Sequence, residues 1–278
     1  MATTDLHFIA DALHPVKKGV RFLGGNVDDG IQVDAAAVAA SGAAYTHGTI
    51  SAWIMIPDDT GSYAIIGFGD ASINEFITFS VVAGKLEINA TDANVVDFEV
   101  TSTNVVISPH KWYHVAVVQD SNHPKLYVNG LEVAITNTIS TDLTSWFDQI
   151  TLTDGAHIGA AEEGGGAALT LEFKGYIHKV KHWGATDSTG ALTAAQVLAD
   201  FEGATNTTAL VNSWDLEFDL VDDGSGADNG TFVGDLIFSD ANSFASRLTF
   251  LETVPLAADN ITITADGGVG FAYSVLAA

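Results

Sequence analysis

HKWYHVAVVQDSNHPKLYVNGLEV, residues 110–133, is the stretch that decides the fold. In residues 112–118 both alternate sets of side chains are mostly apolar. A strand of that kind is covered on both of its faces. Residues 125–128 and 131–133 flank Asn129-Gly130. That dipeptide accepts positive φ at both central positions, so it predicts a two-residue type I′ hairpin. Residues 119–124 are the loop that joins the first strand to the hairpin.

The same style extends outward. GTISAWIMIP, residues 48–57, alternates around Ile50, Ala52, Ile54 and Ile56. EFITFSVVAGKLEINA predicts a meander that turns at Ala83-Gly84. Strand signals recur about every ten residues, with turn signals between them, to the end of the chain. Helix signals are few. Thr193 and Gln196 form a capping box opening AAQVLADFE, which Gly203 stops. DAAAVAASG, from Asp34, predicts a further turn or two. The expectation is an all-β, two-sheet antiparallel sandwich with one short helix near residues 194–202. Its core should include Phe22, Trp53, Trp112, Leu126, Trp183 and Trp214.

The totals bound the function. Hydrophobic residues make up 47% of 278, enough for a sizeable core. Thirty-five acidic residues against 10 basic ones give a net charge of −25. Such a surface opposes a nucleic-acid partner, which needs clustered Lys and Arg, and an anionic membrane surface. No Cys is present, which excludes disulfides, thiolate metal sites and Cys nucleophiles. The first residues lack the basic-then-apolar pattern of a Sec signal, and no apolar run reaches the ~18 residues that span a bilayer. The chain is expected at a virion surface or outside a cell, made in the cytoplasm without a Sec signal.

The stretch at 110–133 resembles the signature hairpin of the laminin-G-like, concanavalin A-like jelly rolls. Trp112, His114, Val115, Ala116, Leu126, Tyr127, Val128, Asn129 and Gly130 carry that resemblance. VRFLGGNVDDGIQV, GTISAWIMIP and FKGYIHKVKHWGATDSTGALTAAQVLADFEG resemble the opening strand, a central strand, and a late strand with its small helix. The resemblance spans about residues 20–203 in order. One block departs from it. LVNSWDLEFDLVDDGSGADNGTFVGDL, residues 210–236, is similar to a block that such proteins carry before the opening strand. The C-terminal part is therefore expected to return and pair near the N-terminal strand. The jelly roll should occupy residues 1–244. Residues 245–278, ending in the uncharged GFAYSVLAA, should be a C-terminal strand extension, part of the same sandwich or an assembly strand.

The resemblance also implies candidate sites. Laminarinase-type glycoside hydrolases share this fold and carry Glu-x-Asp-x-x-Glu on one strand, its carboxylates on one face over a sugar. Glu217, Asp219 and Asp222 approximate the pattern, with Asp222 one methylene shorter than the general acid it replaces. The alternative is an exposed polar face opposite an inward row of Trp214, Leu216, Phe218 and Leu220. Jelly rolls of this kind often hold one calcium ion. Asp222, Asp223 and Asp228 have the oxygen density for it, with Asp28 and Asp29 near if the chain returns as inferred. Their alternative is a turn whose carboxylates bond their own backbone. Tyr45, Tyr63, Trp146 and Phe147 sit in loop-like sequence, as sugar-stacking aromatics would, or else as buried staples. His110/His114 and His178/His182 are spaced four apart, which on a strand means one face but ~13 Å of separation, too far to share a metal.

Three functions follow. The main expectation is a non-catalytic virion structural or surface-display protein, a capsid decoration, tail or fibre component that touches glycans. The second is a carbohydrate-binding or adhesion module of a prokaryotic surface protein. The third is the glycoside hydrolase. Homo-oligomers, other virion or surface proteins, and glycans are the expected partners.

Overall fold

The computed structural model describes residues 18–24, 29–70, 72–151, 153–163, 168–234, 236–240, 262–264 and 270–272. In chain order the elements are β1 (Lys18–Phe22), β2 (Gly30–Gln32), α1 (Asp34–Ala43), β3 (His47–Met55), β4 (Ser62–Gly69), β5 (Phe76–Val82), β6 (Lys85–Asp92), β7 (Val95–Ser102), β8 (Tyr113–Gln119), β9 (Lys125–Val128), β10 (Leu131–Glu132), β11 (Ile135–Ser140), β12 (Gly155–Ile158), β13 (Gly175–Ala185), α2 (Ala194–Phe201), β14 (Leu210–Trp214), β15 (Thr231–Val233) and β16 (Ile237–Asp240). Residues 1–242 form one unit and residues 243–278 another. Within the second, β17 (Thr262–Thr264) pairs antiparallel with β18 (Gly270–Ala272), which holds the first residues of the apolar tail.

In the first unit two antiparallel sheets face each other. Sheet I runs β10-β9-β8-β3-β13-β1-β16, with β14 also on β13. Sheet II runs β11-β7-β6-β5-β4-β12-β2-β15. The Asn129-Gly130 turn has φ of 50° and 78°, and Ala83-Gly84 has 48° and 73°, so both hairpins take the left-handed turn expected of them. β8 is covered on both faces, as its composition demanded. Val115 and Val117 join the core between the sheets, while Ala116 and Val118 pack beneath α2 with Trp183, Leu192 and Val197. Trp53, Trp112 and Tyr176 form a third cluster on that outer face, where Trp53 stacks on Phe201 of α2. All six expected core residues are buried.

The C-terminal return is direct. β15 pairs with β2, and β16 pairs with β1. The α2 capping box is present, with Gln196 N–H donating to Thr193 Oγ1. One helix is the expectation, but the described residues hold two. α1 runs ten residues because Ala36, Ala37 and Ala40 bury a small-residue face and Asp34 favours its N-terminus. Two further readings are corrected. β14 stops at Trp214, so Phe218 does not continue an inward row and is 69% exposed. His178 and His182 do not share a face. A bulge at Lys179, whose φ is 49°, inserts one extra residue opposite β3. His178 therefore lies against Trp112 outside the sandwich, while His182 lies between the sheets against Phe68 and Phe147.

Candidate functional site

The strands of sheet II alternate, and the alternation creates the site. Ile77, Phe79 and Val81 of β5, Leu86, Ile88 and Ala90 of β6, and Phe98 and Val100 of β7 point into the core. Their neighbours point outward. One cross-strand row on that outer face runs Thr231, Gln32, His157, Gly67, Thr78, Asn89, Glu99. The next runs Ser80, Glu87, Thr101, Thr136. Thr78 and Ser80 are buried, whereas Glu87, Asn89, Glu99 and Thr101 are half-buried and Thr136 is exposed. The open half, over β6, β7 and β11, is thus a polar platform of hydroxyl, amide and carboxylate groups on paired strands.

Residues 160–163 cover the other half. Ala161 and Thr170 exchange backbone hydrogen bonds of 2.9 and 2.7 Å above β4. Gly67 makes the crossing possible, since a β-carbon there would lie 2.8 Å from the Cα of Ala161. At Gly69 an added β-carbon would collide with the Glu162 carbonyl. The cover ends on Glu163, whose Oε1 accepts the Thr78 hydroxyl at 2.9 Å. This brings three carboxyl groups together. Burial pushes Glu87 up, and the Glu99 and Glu163 charges push it further, to about 7. Burial also raises Glu163, against the opposing hydrogen bond from Thr78. Glu162 is raised by burial and then by Asp154, Asp34 and Asp70.

The residues singled out by sequence lie elsewhere. Trp146 and Phe147 have no exposed surface, and Tyr63 is 7% exposed in β4. Phe147 packs edge-on against Phe68 inside the core. Tyr45 is half-buried against His182. Trp146, Phe147 and Tyr63 are staples that close the sandwich, so the stacking role expected of these three is withdrawn, while Tyr45 keeps part of its surface exposed. Glu217 and Asp219 fall in a bend after β14, off any strand, so Glu217, Asp219 and Asp222 do not line one face as a hydrolase pattern requires. Glu217 lies 3.9 Å from His178, and Asp219 accepts the Val221 N–H.

Asp222 instead ties a knot. Its Oδ1 accepts the N–H groups of Ser213 and Gly224 at 2.7 and 2.8 Å. Its Oδ2 accepts Asn212 Nδ2 and the Asp228 N–H at 2.8 and 2.9 Å. A carboxylate has about four acceptor positions, and all of them are taken. The same Asn212 amide also donates to Asp228 Oδ2, at 2.9 Å. Its Oδ1 therefore accepts from His182 Nδ1, at 3.2 Å. Burial drives His182 down to about 4, so it stays neutral there. These donors do not fit a calcium ion. Asp223 is exposed, Asp29 is 1% exposed, and Asp28 lies outside the described residues. Among the described residues no cluster of three or more His, Cys, Asp or Glu could hold a metal.

Comparison with known proteins adds the family. The family model of the concanavalin A-like lectin/glucanases superfamily matches residues 24–198. The chain belongs to this superfamily. No curated protein matches it in sequence. Among solved structures, the CBM40 module of Ruminococcus gnavus IT-sialidase bound to α2,3-sialyllactose superposes with a TM-score of 0.51. It is 15% identical, over 65% of this chain and 96% of that one. The same module bound to α2,6-sialyllactose gives 0.51 at 17% identity, over 66% and 96%. The leech intramolecular trans-sialidase gives 0.51 at 16% identity, over 69% of this chain and 29% of that one. At these identities the likeness concerns the fold.

This superfamily member carries a second polar centre, under α2. Asp200 is 4% exposed, and its Oδ2 accepts from Ser51 Oγ at 2.8 Å and His114 Nε2 at 3.0 Å. Its Oδ1 accepts Lys181 Nζ at 2.5 Å. Sealed between helix and sheet, the cluster anchors α2. The platform residues Glu87, Asn89 and Glu99 carry neither the loop composition nor the carboxylate spacing that marks a candidate site in sequence. Their signal was the polar half of the alternation in KLEINATD and VVDFEVTS.

Proposed function

We propose that this protein is a non-catalytic carbohydrate-binding β-sandwich that takes glycans on the open half of sheet II. The observation that carries the reading is the platform itself. Glu87, Asn89, Glu99 and Thr101 stand partly exposed on adjacent strands of a paired sheet, in rows. Sugar hydroxyls need rigidly spaced donors and acceptors, and a sheet supplies them with little ordering cost. The fold supports the reading, because a similar structure is a CBM40 module bound to sialyllactose. Recognition on this platform rests on hydrogen bonds, since β6 carries no aromatic residue and the one ring of β7, Phe98, belongs to the core.

The test is a glycan array followed by calorimetry on the strongest hit. Asn89→Ala and Thr101→Ala should each weaken binding by about tenfold, the loss of one or two hydrogen bonds in a half-buried site. No retained glycan, or variants that bind like the parent, would overturn the reading.

One observation favours a second reading. A carboxyl group held near 7 beside Glu99 has the protonation a glycosidic general acid requires. Hydrolysis would release reducing ends from the bound glycan and stop in Glu87→Gln, whereas a binding module releases none. Display on a virion or on a prokaryotic surface suits the binding reading equally, and proteomics of purified particles separates the two settings.

A further inference from the structure

This inference rests on the glycan reading of sheet II and names the ligand class. We infer that the platform selects glycans without negative charge, amine-bearing sugars above all, and rejects sialylated ones. The similar CBM40 module is bound to sialyllactose, an anionic sugar. A carboxylate ligand calls for the planar guanidinium fork of arginine or a cluster of lysines. This chain has arginine only at positions 21 and 247. Arg21 lies on β1, in the other sheet, and residue 247 is outside the described residues. Among the described strands of sheet II there is no arginine, and Lys85, at the start of β6, is the one lysine.

Against that single cation stand Glu87 and Glu99 on adjacent strands, with Glu163 brought over them by residues 160–163. Burial holds Glu87 toward its protonated form, and the charges of Glu99 and Glu163 add to that. A sugar carboxylate placed there would be a fourth like charge in a partly desolvated site, and like-charge juxtaposition costs several kcal/mol. An ammonium group would relieve the same repulsion. Neutral sugars would meet hydroxyl acceptors without either effect.

The probes are paired array glycans with and without terminal sialic acid, and a fully deacetylated glucosamine tetramer. Each desialylated glycan should bind at least about tenfold more tightly than its sialylated partner. The glucosamine tetramer, tested in its N-trimethylated form so that the ligand's own charge does not titrate, should bind more weakly at pH 6 than at pH 8. The charged groups acting on Glu87 are Glu99 and Glu163, with Lys85 two residues away on the same strand, and Glu87, held at about 7 by burial and then by those two charges, gains a proton over that range. Glu87→Gln/Glu99→Gln should remove most of the discrimination in both directions, with an unchanged circular dichroism spectrum as the folding control. Sialylated glycans that bind as well as their partners overturn the inference and leave the glycan reading standing. Discrimination that survives in the double variant overturns it too, since the charge is then not its source. An array with no hit at all removes the glycan reading, and the inference with it.

Discussion

Replacing Asp200 with Asn should cost this protein about 3 kcal/mol at neutral pH, and the cost should vanish in acid. The carboxylate is 4% exposed and takes hydrogen bonds from Ser51, His114 and Lys181. Lys181 is 8% exposed, and among the described residues its ammonium reaches one other group, the Thr205 hydroxyl at 2.6 Å. Burial alone would raise the Asp200 carboxyl, but the His114 hydrogen bond and the Lys181 charge outweigh it and bring it to about 2. From an ordinary 3.8, that is roughly 1.8 pH units, or about 2.5 kcal/mol of stability. The sign is that of a depressed acid. The contribution is complete above pH 3.8 and is lost as pH falls through 2. Asn keeps the shape but leaves a buried ammonium without its counter-charge, which costs about 3–5 kcal/mol. The two figures overlap because both measure the same cluster. Urea denaturation followed by tryptophan fluorescence gives the answer, since Trp53 stacks on Phe201 in the helix that Asp200 anchors. The gap between parent and variant should be about 3 kcal/mol at pH 7 and small at pH 2.5. A further Lys181→Met change should recover part of it, by removing the stranded charge. A loss under about 1 kcal/mol at pH 7, or a gap that ignores pH, would refute the assignment of Asp200 as the anchor.

Glu87→Gln should act in the opposite direction. Its folded-state proton affinity is raised, so ionisation penalises the fold progressively from pH 4.5 up to about 7. The variant should therefore match the parent at pH 4 and exceed it at pH 8 by about 1 kcal/mol, a figure already discounted for solvent screening at a partly exposed site; equal melting at both pH values would show that neither burial nor its carboxylate neighbours penalise the Glu87 charge. Asp222→Asn should lower stability by about 2 kcal/mol through stranded N–H donors. Added calcium should leave the melting temperature of the parent unchanged relative to chelator, and a calcium-dependent rise lost in the variant would mean that the knot opens to take the ion.

What was legible in the sequence was local. The Asn129-Gly130 turn and the Thr193–Gln196 box each need only a few neighbouring residues, so their chemistry is complete within a short window. The return of the C-terminal block was legible for another reason. A block out of its usual order still needs its usual partners, and β15 and β16 find them in β2 and β1. The aromatics misled because loop composition says nothing about where a loop goes. The segment holding Trp146 and Phe147 folds inward and fills the end of the sandwich, leaving both without exposure.

The platform was hidden by a different kind of distance. Polar alternation in a strand marks only a face turned from the core, and most sandwiches have such faces. What distinguishes this one is Glu163, which arrives over β5 from 85 residues away to bond Thr78. Its arrival turns two ordinary surface glutamates into a crowded group, and no window of sequence around Glu87 or Glu99 contains it. The crossing depends in turn on Gly67 and Gly69, alternate residues of β4 whose missing side chains leave room for the chain above. In sequence they read as weak points of a strand. In the fold they are the seat of the segment that carries Glu163. Larger residues there would lift that segment, so Gly67→Val should lower the proton affinity of Glu87 without touching Glu99, its glutamate neighbour on the sheet.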